Sequence, residues 1–262
     1  MSTNSMTSRD RYGGREYILL KKITPHYKFY QNLVGLTLAS HFANAKPNGS
    51  IKVLEIGCGD GYTSRILLDS DPRVSLTAVD ISRERLSLVM ENFGAELSSG
   101  RLRIVLSDAL TLMELMADRT YDAFASAATL HNFDKRYRAN VISQTARLLK
   151  PGGLFINADK FAVDDPLEHA QHLQWSLDML NQFDRLNISE LKASGFPITR
   201  ADLLQLKQTW HDHFLEDEKP DIIQHERAAI ASLIQSGFVD IRVIFRAQVD
   251  AVLTAVRAKC PE

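Results

Sequence analysis

The sequence predicts an α/β fold, a mainly parallel sheet wrapped by helices and ended by an antiparallel hairpin, and three observations carry that expectation. From residue 51 to about 158, short runs rich in Val, Ile and Leu alternate with longer stretches of helical period. Near the end of the chain two further apolar runs stand only two residues apart, too close for anything but antiparallel pairing. At 262 residues and 45% hydrophobic content, the chain is long enough for one large domain that removes roughly three-quarters of its unfolded surface from water.

Taken in order, the first 16 residues are polar and expected to be mobile. Tyr17 to Ala43 space Ile18, Leu19, Ile23, Tyr27, Tyr30, Leu33, Val34 and Leu38 as one or two amphipathic helices, so residues 17–48 are read as a cover over the open end of the sheet. Five strands are predicted at Lys52 to Ile56, Val74 to Val79, Leu102 to Leu106, Ala123 to Ala127 and Leu154 to Ala158, each apolar enough for burial on both faces. Helices are expected just after Gly61, after Ser82 as N-cap, and after Asp134 as far as Leu149, where Lys150-Pro151-Gly152-Gly153 stops it. Residues 162–220 exceed an ordinary connection and repeat Leu173, Trp175, Leu177, Met179, Leu180 and Phe183 at roughly helical spacing, the pattern of an inserted helical cap. Gln224 to Gln235 reads as a helix closed by Ser236-Gly237-Phe238, followed by strands Asp240 to Arg246 and Val249 to Val256 around Ala247 and Gln248.

Composition narrows the partners. With 31 basic and 32 acidic side chains, a formal charge of −1 and a pI near 6.7, nothing attracts the chain as a whole to nucleic acid, so no nucleic-acid partner is expected. No run of eighteen apolar residues spans a bilayer, so no membrane partner is expected, and a small molecule is the favoured one. Cys58 and Cys260 form no CxxC pair or Cys/His cluster, which suits a reducing compartment and a cytoplasmic location. Oligomeric state is open.

The most informative stretch is Val53-Leu54-Glu55-Ile56-Gly57-Cys58-Gly59-Asp60-Gly61, a buried strand entering three alternating glycines and then a helix. Such a loop turns sharply, lets the backbone approach a ligand and presents helix N–H groups to it. A tight strand-to-helix turn without a ligand is the bland alternative. A dinucleotide fingerprint needs its third glycine at position 62, which is Tyr62, so a nicotinamide-dependent oxidoreductase is disfavoured.

The E-x-G-x-G-x-G form resembles the first motif of the Rossmann-like (class I) S-adenosylmethionine-dependent methyltransferases, and the resemblance continues along the chain. Asp80 ends the second strand, where the family accepts both ribose hydroxyls. Asp108, in Leu106-Ser107-Asp108-Ala109, matches the position that accepts from the adenine amino group. Asp122 with the fourth strand, Leu149-Lys150-Pro151-Gly152-Gly153-Leu154, and the terminal hairpin resemble the later motifs. A helix N-terminal charge explains either acid singly, but two acids at strand tips on the ligand side of the sheet point to a binding crevice. The resemblance implies a seven-stranded Rossmann-like methyltransferase fold over residues 17–262 and S-adenosyl-L-methionine as cofactor, with S-adenosyl-L-homocysteine as product. The cofactor set it implies is Glu55, Gly57, Cys58, Gly59, Gly61, Asp80, Ile81, Ser107, Asp108, Ala109 and Ser126. The implied reaction is in-line methyl transfer to a small molecule.

A hydroxyl acceptor is helped by a general base, and His131, just beyond the fourth strand, is the candidate, against a bland role as a helix cap or packing residue. Tyr27 is the second candidate, before a helix that lies over the cofactor site, against a bland role as a core aromatic. The stretch Lys22 to Tyr27, Gly35 and Asp159-Lys160-Phe161 are similar to carboxy-S-adenosylmethionine synthase, a relative that does not methylate. Its arginine clamp is replaced here by Ser232 and Lys22, which puts ordinary methyl transfer ahead. A cofactor-binding protein without catalysis is a further alternative. The cap histidines His169, His172, His211 and His213 read as an exposed face and not a metal site, and Trp175, Trp210, Phe183 and Phe214 as cap core.

Overall fold

The computed structural model describes residues 16–44, 49–217 and 223–259. The predicted N-terminal stretch up to residue 15, Cys260 and the end of the predicted cap lie outside them. Two helices open the described chain, α1 (Glu16–Ile23) and α2 (Tyr27–His41). Then come β1 (Ile51–Ile56), α3 (Tyr62–Ser70), β2 (Val74–Asp80), α4 (Arg83–Asn92), α5 (Gly94–Ser98), β3 (Leu102–Leu106), α6 (Ala109–Leu115) and β4 (Tyr121–Ala127). A 3₁₀ turn at Leu130–Asn132 leads to α7 (Lys135–Leu148) and β5 (Leu149–Lys160). The inserted segment forms α8 (Pro166–Met179), a 3₁₀ turn (Leu180–Arg185), α9 (Ile188–Ala193) and α10 (Arg200–Asp217). The chain ends in α11 (Glu226–Gln235), β6 (Phe238–Ala247) and β7 (Asp250–Arg257).

The seven strands lie in the order β3-β2-β1-β4-β5-β7-β6, with β1 to β5 parallel and β7 antiparallel to both its neighbours. Alternation along β1 divides the core. Ile51 and Val53 face α2, α3 and α4, whereas Leu54 and Ile56 face the layer of α6, α7 and α11. Caps fall where polar residues precede apolar periods: Ser82 accepts from Arg85 N–H, Asp134 from Tyr137 N–H, and Asp165 from Leu167 and Glu168 N–H with Pro166 in the first turn of α8.

Three boundaries differ from the sequence reading. The Lys150-Pro151-Gly152-Gly153 segment does not separate α7 from the strand; α7 ends at Leu148 and β5 begins at Leu149, taking the segment in as an irregular start. The register with β4 shifts there between Tyr121 and Ala123, and a Cβ on Gly153 would lie 2.8 Å from the Lys150 carbonyl oxygen and 3.0 Å from that of Asp122. The final hairpin turns at Gln248 and Val249, one residue later than expected, with Gln248 at φ +58°. Phe238 belongs to β6 and not to the closing turn of α11.

A third apolar cluster lies away from the sheet. Met179, Leu180, Phe183, Leu191, Leu203, Leu206, Trp210 and Phe214 of the inserted segment pack with Leu19, Leu20 and Ile23 of α1. The inserted segment and the first helix therefore share one core. Among the described residues no helix is long and apolar enough to cross a membrane.

Candidate active site

The glycine loop leaves β1 at the carboxyl edge of the sheet. The N–H groups of Gly57 and Cys58 both bond the Val79 carbonyl, so the loop is fixed against the tip of β2. Asp80 completes the attachment: its Oδ2 accepts from Gly59 N–H at 2.8 Å and its Oδ1 from Ser82 N–H at 2.9 Å. A carboxylate has about four lone-pair sites, so two stay available to a ligand's hydroxyls. Gly57 and Gly59 have φ +75° and +56°, but their surroundings differ. A Cβ on Gly57 would fall onto the Thr129 side chain, whereas one on Gly59 would meet only Arg85 Nη1, at 3.7 Å. Gly59 thus leaves a cradle over the loop, which fits a ligand pressed against the backbone.

The other residues of the expected cofactor set divide. Ile81 is half exposed beside Asp80 and free to cover a flat ligand. Cys58 is buried in the core, and burial pushes its thiol well above the ordinary range. Glu55 does not face the groove. Its carboxyl is buried beneath the loop and accepts from Ser64 Oγ at 2.5 Å, and burial above all, opposed by that bond, pushes its pKa up to about 8. Asp108 is the N-cap of α6, accepting from Thr111 N–H at 3.0 Å and Thr111 Oγ1 at 3.1 Å, while its Oδ2 accepts from Tyr137 OH at 2.6 Å. The helix-terminal reading of Asp108 is the one seen, and at most one lone pair remains for adenine. Ser107 Oγ donates to the Asp108 carbonyl, and Ala109 is buried at the start of α6. Ser126 is turned inside the sheet, fully buried, its hydroxyl donating to the Ile56 carbonyl at 3.1 Å. It holds β4 to β1 and has no face toward a ligand.

Both catalytic candidates lie at this edge. His131 sits on the 3₁₀ turn after β4, with Nδ1 2.5 Å from Asp159 Oδ1 and its own N–H 3.0 Å from Asp159 Oδ2. Asp159 is buried at the end of β5. Burial alone would raise its pKa, but His131 and the N–H groups of Lys160 and His131 outweigh that and hold it below the usual carboxylate range. An ionised Asp159 fixes the imidazole with Nδ1 toward the carboxylate, leaving Nε2 to take a proton. Thr129 Oγ1 donates to the Gly57 carbonyl at 3.2 Å, so this turn is tied to the glycine loop.

Tyr27 is buried at the start of α2, its ring against those of Tyr30 and Tyr62. The sequence reading missed its neighbour Lys21, which reaches both oxygens of Asp60 in the glycine loop at 2.9 Å, while Lys22 is exposed. Ser232, the other position weighed for a carboxylate clamp, gives its hydroxyl to Ala228 of its own helix. Among the described residues no three His, Cys, Asp or Glu side chains group to hold a metal.

Residues 53–153 match the family described as "Methyltransferase domain". Over these residues the chain is similar to a methyltransferase domain. The domain spans β1 to the start of β5 and contains the glycine loop, Asp80, Asp108 and His131, while Lys21, Tyr27 and Asp159 lie outside it. The chain is 29% identical over 142 residues to malonyl-[acyl-carrier protein] O-methyltransferase of Priestia megaterium, covering 52% of this chain and 48% of that one. It spans about half the length of the first curated relatives it matches. Among solved structures, the CurJ carbon methyltransferase superposes with a TM-score of 0.62 at 16% identity, over 95% of this chain and 61% of that one. Haemonchus contortus phospholethanolamine N-methyltransferase 2, in complex with phosphomonomethylethanolamine and S-adenosylhomocysteine, superposes with a TM-score of 0.59 at 14% identity, over 98% and 61%. The seven-stranded sheet with its terminal antiparallel hairpin is the Rossmann-like methyltransferase fold.

Proposed function

We propose that the protein is an S-adenosylmethionine-dependent methyltransferase that methylates an oxygen of a small-molecule acceptor, with His131 as general base. The domain match and the Gly59 cradle support the donor. The observation that favours oxygen is the His131–Asp159 pair at the sheet edge, because amine and carboxylate acceptors need no positioned base. When bound, the donor supplies a methyl group on a sulfonium, whose C–S bond breaks as the acceptor's O–C bond forms, leaving a neutral thioether. Asp80 takes the ribose hydroxyls on its remaining lone pairs, and the Gly59 backbone lies against the amino-acid tail. His131 Nε2 receives the hydroxyl proton, and Asp159 stabilises the resulting imidazolium. Tyr27 closes the acceptor side.

S-Adenosylhomocysteine is expected to raise the melting temperature: at a hundred times its dissociation constant a ligand stabilises by about 2.7 kcal/mol, which is several degrees. No shift at millimolar ligand would remove the donor assignment. Asp80→Ala weakens that binding in calorimetry with the fold retained. His131→Gln lowers the methylation rate roughly 100-fold or more, the ordinary scale of general-base loss, with homocysteine-product affinity unchanged. A full rate in His131→Gln would refute the base.

A further inference from the structure

Asp108 stands at the ligand edge with most of its bonding capacity already taken, and strand order sets what it faces. β2 lies between β3 and β1, which carries the glycine loop. A nucleoside with its tail at that loop and its sugar on Asp80 therefore extends its base toward the tip of β3. Asp80 is in register with Leu106, its carbonyl accepts from Ser107 N–H at 3.1 Å, and Asp108 is the next residue. Thr111 gives both its N–H and its hydroxyl to Oδ1 of Asp108, and Tyr137 gives its hydroxyl to Oδ2 at 2.6 Å. Of about four lone-pair sites this leaves one, on Oδ2.

Tyr137 decides where that site points. Its own oxygen accepts from Leu110 N–H at 3.1 Å, so its one hydrogen is left for Asp108. Asp134 accepts from Tyr137 N–H at 2.8 Å, and the Phe133 ring packs beside the phenol with ring centres 4.7 Å apart. Burial and, after it, the bond to Asp108 raise the phenol's pKa above its ordinary value, so the hydroxyl stays a donor. The carboxylate site that remains can only accept.

We propose that Tyr137 is a positioning residue for the methyl donor: it holds Asp108 with a single outward acceptor, so that the pair admits a base bearing an exocyclic amino group and rejects one bearing a carbonyl there. Adenine is of the first kind and hypoxanthine of the second. The rejection comes from setting a carbonyl oxygen against a carboxylate oxygen, two acceptors with no hydrogen between them. Without the phenol, a water can sit beside Oδ2, and a water gives a hydrogen to a carbonyl as well as it takes one from an amine. The inference rests on the donor reading above and names the residue that makes its base recognisable.

The test is calorimetry of the full chain with S-adenosylhomocysteine and with its deaminated analogue S-inosylhomocysteine, which share sugar and tail and differ only in the base. The parent is expected to bind the adenine compound at least about tenfold tighter, the scale of one lost charge-assisted bond. Tyr137→Phe, which deletes a single oxygen, is expected to narrow the ratio to within about threefold. A merely structural role would weaken both ligands alike and leave the ratio where it was. Asp108→Asn keeps the helix cap but presents an amide hydrogen in place of Oδ2, and is expected to reverse the order of affinities. Equal affinities in the parent, or an undiminished preference for adenine in either variant, would overturn the proposal. Binding of neither compound to the parent removes the donor reading and this inference with it. Binding of both, with a ratio that Tyr137→Phe does not move, removes the role of Tyr137 and leaves the donor reading standing.

Discussion

Glu55 shows how a residue that reads as part of the ligand set can serve the fold first. Its carboxyl is buried in the core, with Ser64 Oγ as its hydrogen-bond partner, and burial raises its pKa from 4.5 to about 8. The unfolded chain gives up this proton near 4.5, whereas the folded chain keeps it to about 8. Glu55 therefore favours folding fully below the unfolded pKa, and the contribution is lost as pH rises through the folded one. Glu55→Gln, which cannot ionise, is expected to flatten the pH dependence of stability between about 4.5 and 8 and to gain up to a few kcal/mol over the parent on its alkaline side. Urea denaturation from pH 5.5 to 9 measures this; parallel curves for parent and variant would show an ionised Glu55 in the folded state. The acid in the motif was legible, but its direction was not, because alternation along a strand buried on both faces leaves no solvent side to point to. His131 was legible as the residue beyond a strand tip, while its partner Asp159, 28 residues on, was not. The signal lay in strand order: Ala127 and Ala158 are in register on neighbouring strands, so the residues just past them share one edge.

At the scale of elements, the glycine loop was readable because three glycines between a strand and a helix admit few alternatives. The structure separates the reasons for two of them. Gly57 combines a left-handed backbone with the Thr129 side chain where a Cβ would stand, whereas Gly59 combines a left-handed backbone with open space. Alanine at either position costs about 1–2 kcal/mol for the backbone alone, and at Gly57 roughly 1–3 kcal/mol more for displacing Thr129. Gly57→Ala is thus expected to be the less stable variant in urea, and Gly59→Ala the one that stays folded yet loses affinity for S-adenosylhomocysteine in calorimetry. Undiminished affinity in Gly59→Ala would place the ligand elsewhere. The Pro-Gly-Gly segment was misread for the opposite reason. Proline and glycine there suggest a break, but Gly153 sits where neighbouring carbonyls leave no room for a side chain, so the strand passes through instead of stopping.

Across the whole molecule, α1 links two regions far apart in the sequence, the glycine loop and the segment inserted after β5. Its apolar residues Leu19, Leu20 and Ile23 are buried with Phe183, Trp210 and Phe214 of that segment. Its Lys21 crosses to the glycine loop, bound to Asp60 and 5.5 and 5.3 Å from the ring centres of Tyr27 and Tyr62. Helical period revealed that α1 has an apolar face but could not say which surface it covers, since that depends on contacts about 160 to 190 residues away. Burial lowers the pKa of Lys21, against the raising effect of Asp60, and its side chain is 11% exposed against 27% for Asp60. Removing the lysine leaves Asp60 without the ammonium that reaches both its oxygens. Lys21→Met is accordingly expected to lose about 1–3 kcal/mol, below the cost of breaking a fully buried pair because Asp60 keeps some water. The more telling readout is local. Hydrogen exchange should accelerate together in α1 and in α10, which share a core, while β1 and β4 keep the protection set by global unfolding. Lys21→Arg should restore protection to both helices, since a guanidinium can meet both oxygens of Asp60. If Lys21→Met accelerated exchange in neither helix, the link between the glycine loop and the inserted segment would not run through this pair.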